Sequence, residues 1–97
     1  MENPFEITFV NQNEYMIRAS PEGQTVESLF RLDPDFLEEI GLENFEKKRV
    51  LEETLQFMAE HQPVADFPPL VDLEDVAAAY SDYVPQLRHR LQADSGK

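Results

Sequence analysis

The sequence has no cysteine, no tryptophan and only 3 glycines among 97 residues. Without cysteine there can be no disulfide, no thiolate zinc site and no cysteine nucleophile. Neither the dinucleotide-binding glycine motif nor a P-loop occurs. No run approaches the roughly 18 apolar residues of a membrane span, and the N-terminus lacks the pattern of a signal peptide. We therefore expect a cytoplasmic protein with no membrane segment and no cofactor.

Basic residues are scarce as well. Lysine and arginine total 8 against 20 aspartates and glutamates, so the net charge is −12, and the imbalance is steepest in residues 1–46. Nucleic-acid binding draws most of its affinity from cations that neutralise phosphates. This balance disfavours nucleic acid and fits a basic protein partner better. An acidic surface that serves only solubility is the alternative.

The composition is that of a folded chain, and its length suits one domain spanning 1–97. The Ser20–Gly23 segment has the proline and glycine of a tight turn. Leu29 breaks the otherwise polar face of one segment, which suggests cover on both sides there. Alternation of apolar and polar residues predicts three strands within about residues 5–32, namely Phe5–Phe9, Tyr15–Ala19 and Thr25–Leu32.

Helix signals follow the strands. Asp33 and Pro34 are a typical N-cap and first helical residue, and Gly41 is a typical stop, which predicts a short helix at about 34–40. Asn44 is the predicted cap of a longer helix at about 45–61.

Asp72 is the predicted cap of the last helix, at about 73–92. Its apolar stripe keeps its phase across Pro85, which predicts a kinked or two-part helix with one apolar face. The fold class is therefore α+β: an N-terminal three-stranded antiparallel meander packed against two or three C-terminal helices, plus a short capping helix.

Two short segments carry a resemblance. Val71-Asp72-Leu73 followed by Tyr83-Val84-Pro85 resembles a pattern in small uncharacterised bacterial α+β proteins. The resemblance covers about residues 25–91. It implies an order of elements and no activity.

Catalytic patterns are not found. The two histidines, His61 and His89, belong to no metal-binding spacing, and no serine lies in a nucleophile elbow. Adjacent carboxylates such as Glu38 and Glu39 do not face each other on a helix. We expect no enzyme activity, no catalytic residue and no metal site.

Two candidate binding surfaces remain. The first is the proline-stiffened connection 62–71, in which Phe67, Pro68, Pro69 and Leu70 either cover the core or dock a partner. The second is a candidate basic patch made of Lys47, Lys48, Arg49, Arg88 and Arg90.

These observations predict a non-enzymatic, acidic protein-interaction or regulatory protein, present as a monomer or weak homodimer. The alternative is a nucleic-acid-binding regulator that uses Lys47–Arg49 and Arg88–Arg90.

Overall fold

The computed structural model describes residues 5–20 and 23–95. The predicted α+β class is confirmed. Within these residues, four strands and four α-helices follow one another: β1 (Glu6–Asn11), β2 (Glu14–Ala19), β3 (Val26–Arg31), α1 (Pro34–Glu39), α2 (Lys47–His61), β4 (Leu70–Asp72), α3 (Leu73–Ala79) and α4 (Tyr83–Ser95). Two residues of the predicted turn at 20–23, Pro21 and Glu22, lie outside the described residues.

The sheet has the order β1-β2-β3-β4. The first three strands form the predicted antiparallel meander, and β4 adds a parallel strand beside β3. A parallel pair needs a long crossover, and α1 and α2 supply it here. The fourth strand was not predicted, because three residues are too few to show a period.

One face of the sheet contributes to the core. Ile17, Phe30 and Val71 point to the same face and are buried. They pack with side chains from all four helices in one cluster. The opposite face, which we call the open sheet face, carries exposed residues such as Arg18 and Glu27. Alternation in the sequence therefore predicts the buried residues of β2 and β3 correctly, whereas in β1 the expectation for Phe9 is wrong because its side chain is exposed.

Helix α1 is bounded as predicted. The Asp33 carboxylate accepts a hydrogen bond from the Asp35 N–H at 3.1 Å, and Pro34 is the first helical residue. Gly41 has a φ of +77°. The Leu42 N–H donates to the Leu37 carbonyl at 2.8 Å, the bond that defines a Schellman stop.

Helix α2 begins later than predicted. Its N-cap is Glu46, not Asn44. The Phe45 N–H donates to the Leu42 carbonyl in a turn, so residue 45 is not helical. Lys47 then joins the first helical turn to the β1–β2 turn, since its Nζ donates to the Gln12 carbonyl at 2.8 Å.

The last apolar stripe forms two helices. Asp72 caps α3 as predicted. The chain leaves the helix after Ala79 and begins α4 at Tyr83. Pro85 therefore lies in the first turn of α4, where its missing N–H has no partner to lose. The apolar face does continue across the break, because Val76, Tyr83, Leu87 and Leu91 are all buried.

Candidate functional site

The connection 62–71 is partly a structural element. Phe67 is only 7% exposed, and its ring stacks on that of Phe5 with a centroid distance of 6.2 Å. The Pro68 carbonyl accepts a hydrogen bond from Ser28 Oγ at 2.6 Å, and the Pro69 carbonyl accepts one from the Leu29 N–H at 2.8 Å. These bonds hold the segment against β3 and lead it into β4.

The rest of the segment faces solvent. Pro68 and Pro69 are exposed, and the Leu70 side chain is 48% exposed. The four residues proposed from the sequence thus divide between two environments. Phe67 lies in the core, whereas Pro68, Pro69 and Leu70 form an exposed and rigid surface.

A groove of about 260 Å³ adjoins this exposed surface. It lies where the C-terminal end of α2, strand β4 and helix α3 meet. We call it the α2–α3 groove. Its apolar lining includes Met58, Pro68, Leu70, Val76, Ala79 and Tyr80.

One wall of the α2–α3 groove is held by aromatic packing. The Tyr80 ring lies edge-on to Phe57 at 5.5 Å and 4.9 Å from the His61 ring. His61 Nδ1 is 2.8 Å from the Phe57 carbonyl in the last turn of α2. These contacts fix the orientation of Tyr80. The groove is therefore built on packed elements and not on a free loop.

The charged residues of the α2–α3 groove are acidic. Asp72 and Asp75 line it together with the polar Gln62, and no lysine or arginine in the described part of the chain does. Asp72 is fixed in place because its carboxylate accepts the Glu74 N–H that caps α3. The groove therefore combines an apolar floor with a negative rim.

Leu70 also belongs to a second apolar feature. On the open sheet face it is opposite Leu29, which is opposite Met16, which is opposite Thr8. Leu29 is half-buried, while its neighbour Leu70 is exposed, so the expectation that β3 is covered on both of its faces is wrong. The alignment of these four residues across the sheet was not predicted, although an apolar residue at position 29 of an otherwise polar face was a signal for it.

The five residues of the candidate basic patch do not form one surface. Lys47 lies at the start of α2, and Arg90 donates to Glu60 at 2.7 Å near the end of α2. Those two ends are about 20 Å apart at 1.5 Å per residue. The triplets 47–49 and 88–90 therefore contribute to separate regions.

Most of these cations already have partners within the fold. Lys47 Nζ bonds to the Gln12 carbonyl and to Asn13 Oδ1. Arg49 lies 3.8 Å from Glu53. Arg88 Nε donates to the Ile40 carbonyl at 2.8 Å, at the end of α1. Lys48 is exposed. The contacts of Lys47 and Arg88 join separate parts of the fold.

A polar cleft of about 440 Å³ lies at the ends of β3 and β4. Two of its charged residues are paired: Arg31 Nε donates to Glu14 at 3.2 Å, and the Asn11 amide also donates to Glu14 at 2.7 Å. The hydrogen bond from Asn11 contributes most to holding the pKa of the Glu14 carboxyl below its usual value, and the bond from Arg31 adds to this effect.

Across the described ranges, no three histidine, cysteine or acidic side chains are placed to hold a metal ion.

No family model, curated protein or solved structure matches the chain. The resemblance to small bacterial α+β proteins thus stays a prediction. In residues 5–20 and 23–95 no helix has the length and apolarity to cross a membrane.

Proposed function

We propose that this protein is a non-enzymatic interaction protein that binds a basic segment of a partner protein in the α2–α3 groove. The observation that carries the proposal is the combination of an apolar floor and an acidic rim on a rigid frame. The proposal includes a cytoplasmic location, supported by a cysteine-free sequence of a size at which secreted domains usually depend on disulfides.

The size of the groove indicates what it can accept. Sites for drug-sized ligands usually measure about 300–1,000 Å³. The α2–α3 groove, at about 260 Å³, is smaller and suits one or two side chains. We therefore propose that the partner inserts one large apolar side chain, such as leucine or phenylalanine, from an otherwise exposed segment.

The charge of the groove indicates what flanks that side chain. Asp72 and Asp75 would pair with lysines or arginines on either side of the apolar anchor. The net charge of −12 would also speed the encounter with a cationic partner, an effect that salt screens. Rigid Pro68 and Pro69 would lose little conformational freedom on binding.

A pair of adjacent alanines provides the test. Ala78 and Ala79 are both exposed on α3, but only Ala79 lines the groove. Ala79→Lys would fill the groove and add a positive charge, while Ala78→Lys adds the same charge outside it. The probe is a panel of fluorescein-labelled peptides, each with one leucine or phenylalanine between lysines, measured by fluorescence anisotropy.

We expect at least one peptide to bind the wild type, Ala79→Lys to weaken that binding about tenfold or more, and Ala78→Lys to change it by less than about threefold. Added salt should weaken binding. Equal effects of the two variants would refute the groove as the site. If no peptide binds and labelled duplex DNA binds instead at moderate salt, the nucleic-acid alternative replaces this proposal.

A further inference from the structure

The two edges of the sheet differ in how they are protected. Strand β4 forms one edge with only three residues and follows Pro68-Pro69 directly. Short strands and proline are devices that prevent pairing at an edge. Strand β1 forms the other edge with six residues, Glu-Ile-Thr-Phe-Val-Asn. It has no proline, lysine or arginine, and within the described residues no further strand pairs with its outer side.

The β1 edge also exposes large apolar side chains. Phe9 is 63% exposed and Val10 is 48% exposed. Phe9 is held in place because its ring lies edge-on to Tyr15, at a centroid distance of 5.7 Å. An exposed strand edge of this kind, with unpaired backbone groups and apolar side chains, is a site where another strand can add to a sheet.

We infer that β1 pairs antiparallel with β1 of a second copy of this chain, about a two-fold axis at Thr8, to give a continuous eight-stranded sheet. Thr8 is the centre of residues 6–10, so in this register those five residues of the two copies lie opposite each other, with Val10 at the irregularity between Phe9 and Asn11. Directly opposite residues of an antiparallel pair point to the same face. Both helical layers would then lie on one side of the joined sheet.

The order of residues in β1 is self-complementary in this register. Ile7 of each copy lies opposite Phe9 of the other, an aliphatic–aromatic pair on the face that carries the core. Thr8 lies opposite its own twin on the open sheet face. Both are favourable cross-strand pairs. A two-fold interface needs this reciprocity, since each contact occurs twice.

The only charged residue of β1 is also well placed. Glu6 lies opposite Val10 of the second copy, and the two Glu6 residues are four positions apart, or about 14 Å at 3.4 Å per residue. Their separation exceeds the Debye length of about 8 Å at physiological ionic strength. Like charges therefore do not meet at the centre of the interface.

The charge of the whole chain weakens the dimer. Each copy carries −12, so long-range repulsion opposes association and salt relieves it. We expect self-association to increase with salt. Salt should have the opposite effect on a basic peptide in the α2–α3 groove, whose binding it should weaken. An experiment can therefore refute either proposal without refuting the other.

Disulfide trapping tests the register, because the chain has no cysteine of its own. In Thr8→Cys the two new thiols would lie opposite each other, with Cα atoms about 4.5–5.5 Å apart, within the range for a disulfide. The matched control is Glu6→Cys, on the same strand and face, whose thiols would be about 14 Å apart. Thr8 and Glu6 are both exposed, so neither change disturbs the core.

Under mild oxidation we expect a covalent dimer of Thr8→Cys to form at least about tenfold faster than one of Glu6→Cys, with faster trapping at high salt. Equal rates would mean random collision and would overturn the proposal, as would trapping of Glu6→Cys alone or of neither variant. Sedimentation of the wild type at low and high salt is the second measurement. A wild type that stays monomeric up to millimolar concentration at high salt would also overturn it.

Discussion

Replacing Phe67 with alanine distinguishes a structural segment from a docking segment. Phe67 is 7% exposed and stacks on Phe5 with an angle of 7° between the rings. It precedes the two carbonyls, of Pro68 and Pro69, that bond to β3. The alanine variant therefore removes an aromatic ring from the rim of the core while the backbone bonds that follow it can persist.

The expected loss of stability follows from the buried area. Truncation removes on the order of 100 Å² of buried surface, since a phenylalanine buries about 150–250 Å² in all, and this is worth about 2.5 kcal/mol at 25 cal/mol per Å². The cavity adds to this, and buried Phe→Ala changes usually cost about 3–5 kcal/mol. Phe5 is only half-buried and can move into the space. We therefore expect the lower end, about 3 kcal/mol.

Thermal unfolding followed by circular dichroism measures this loss. For a domain of this size 1 kcal/mol corresponds to about 4–8 °C, so Tm should fall by roughly 12–24 °C. Leu70→Ala is the control from the same segment. Because Leu70 is 48% exposed, its truncation should cost less than about 1 kcal/mol.

A fall in Tm of less than about 2 °C for Phe67→Ala would refute the reasoning. It would mean that the ring contributes little to the core, and Phe67 would then join Pro68–Leu70 as part of the docking surface. A large fall for Leu70→Ala as well would show that the whole segment is structural.

Two further predictions concern α4. Leu87→Asp places a charge at a position that is 1% exposed, and we expect about 2–4 kcal/mol of destabilisation in urea unfolding; an unchanged midpoint would show that this stripe is not core. Burial raises the pKa of the Tyr83 phenol, whose hydroxyl lies 2.7 Å from Thr54 Oγ1. The folded state therefore holds this proton more tightly than the unfolded state. The stabilisation of the fold that results is complete below pH about 10 and is lost as the pH rises above that value. Absorbance at about 295 nm reports all three tyrosines and should therefore show one of them ionising only as the chain unfolds in alkali; ionisation of all three in a chain that remains folded would contradict this.

Local signals in the sequence determined much of the fold. Alternation identified the buried face of β2 and β3, because strand side chains point to opposite faces in turn. Asp33, Gly41 and Asp72 marked helix ends, since a cap is an interaction between near neighbours in the chain. The burial of Leu87 followed from the apolar stripe in the same way. These features depend on a few consecutive residues and their torsion angles.

Tertiary structure decided the rest. The start of α2 is shifted because Phe45 is held in a turn and Lys47 bonds to the distant β1–β2 turn. Strand β4 exists because the segment after Pro69 pairs with β3, and three residues carry no period that would predict it. The Arg88 side chain does not join the other cations of the candidate basic patch because its Nε donates a hydrogen bond to the Ile40 carbonyl.

The candidate site shows the same division. The sequence singled out Phe67–Leu70 from its prolines and apolar residues, but not which of them face solvent. The α2–α3 groove unites Met58, Leu70 and Tyr80, which are separated in the chain and carry no shared motif. Only packing brings them together, because a groove is a property of the space between elements and not of any one segment.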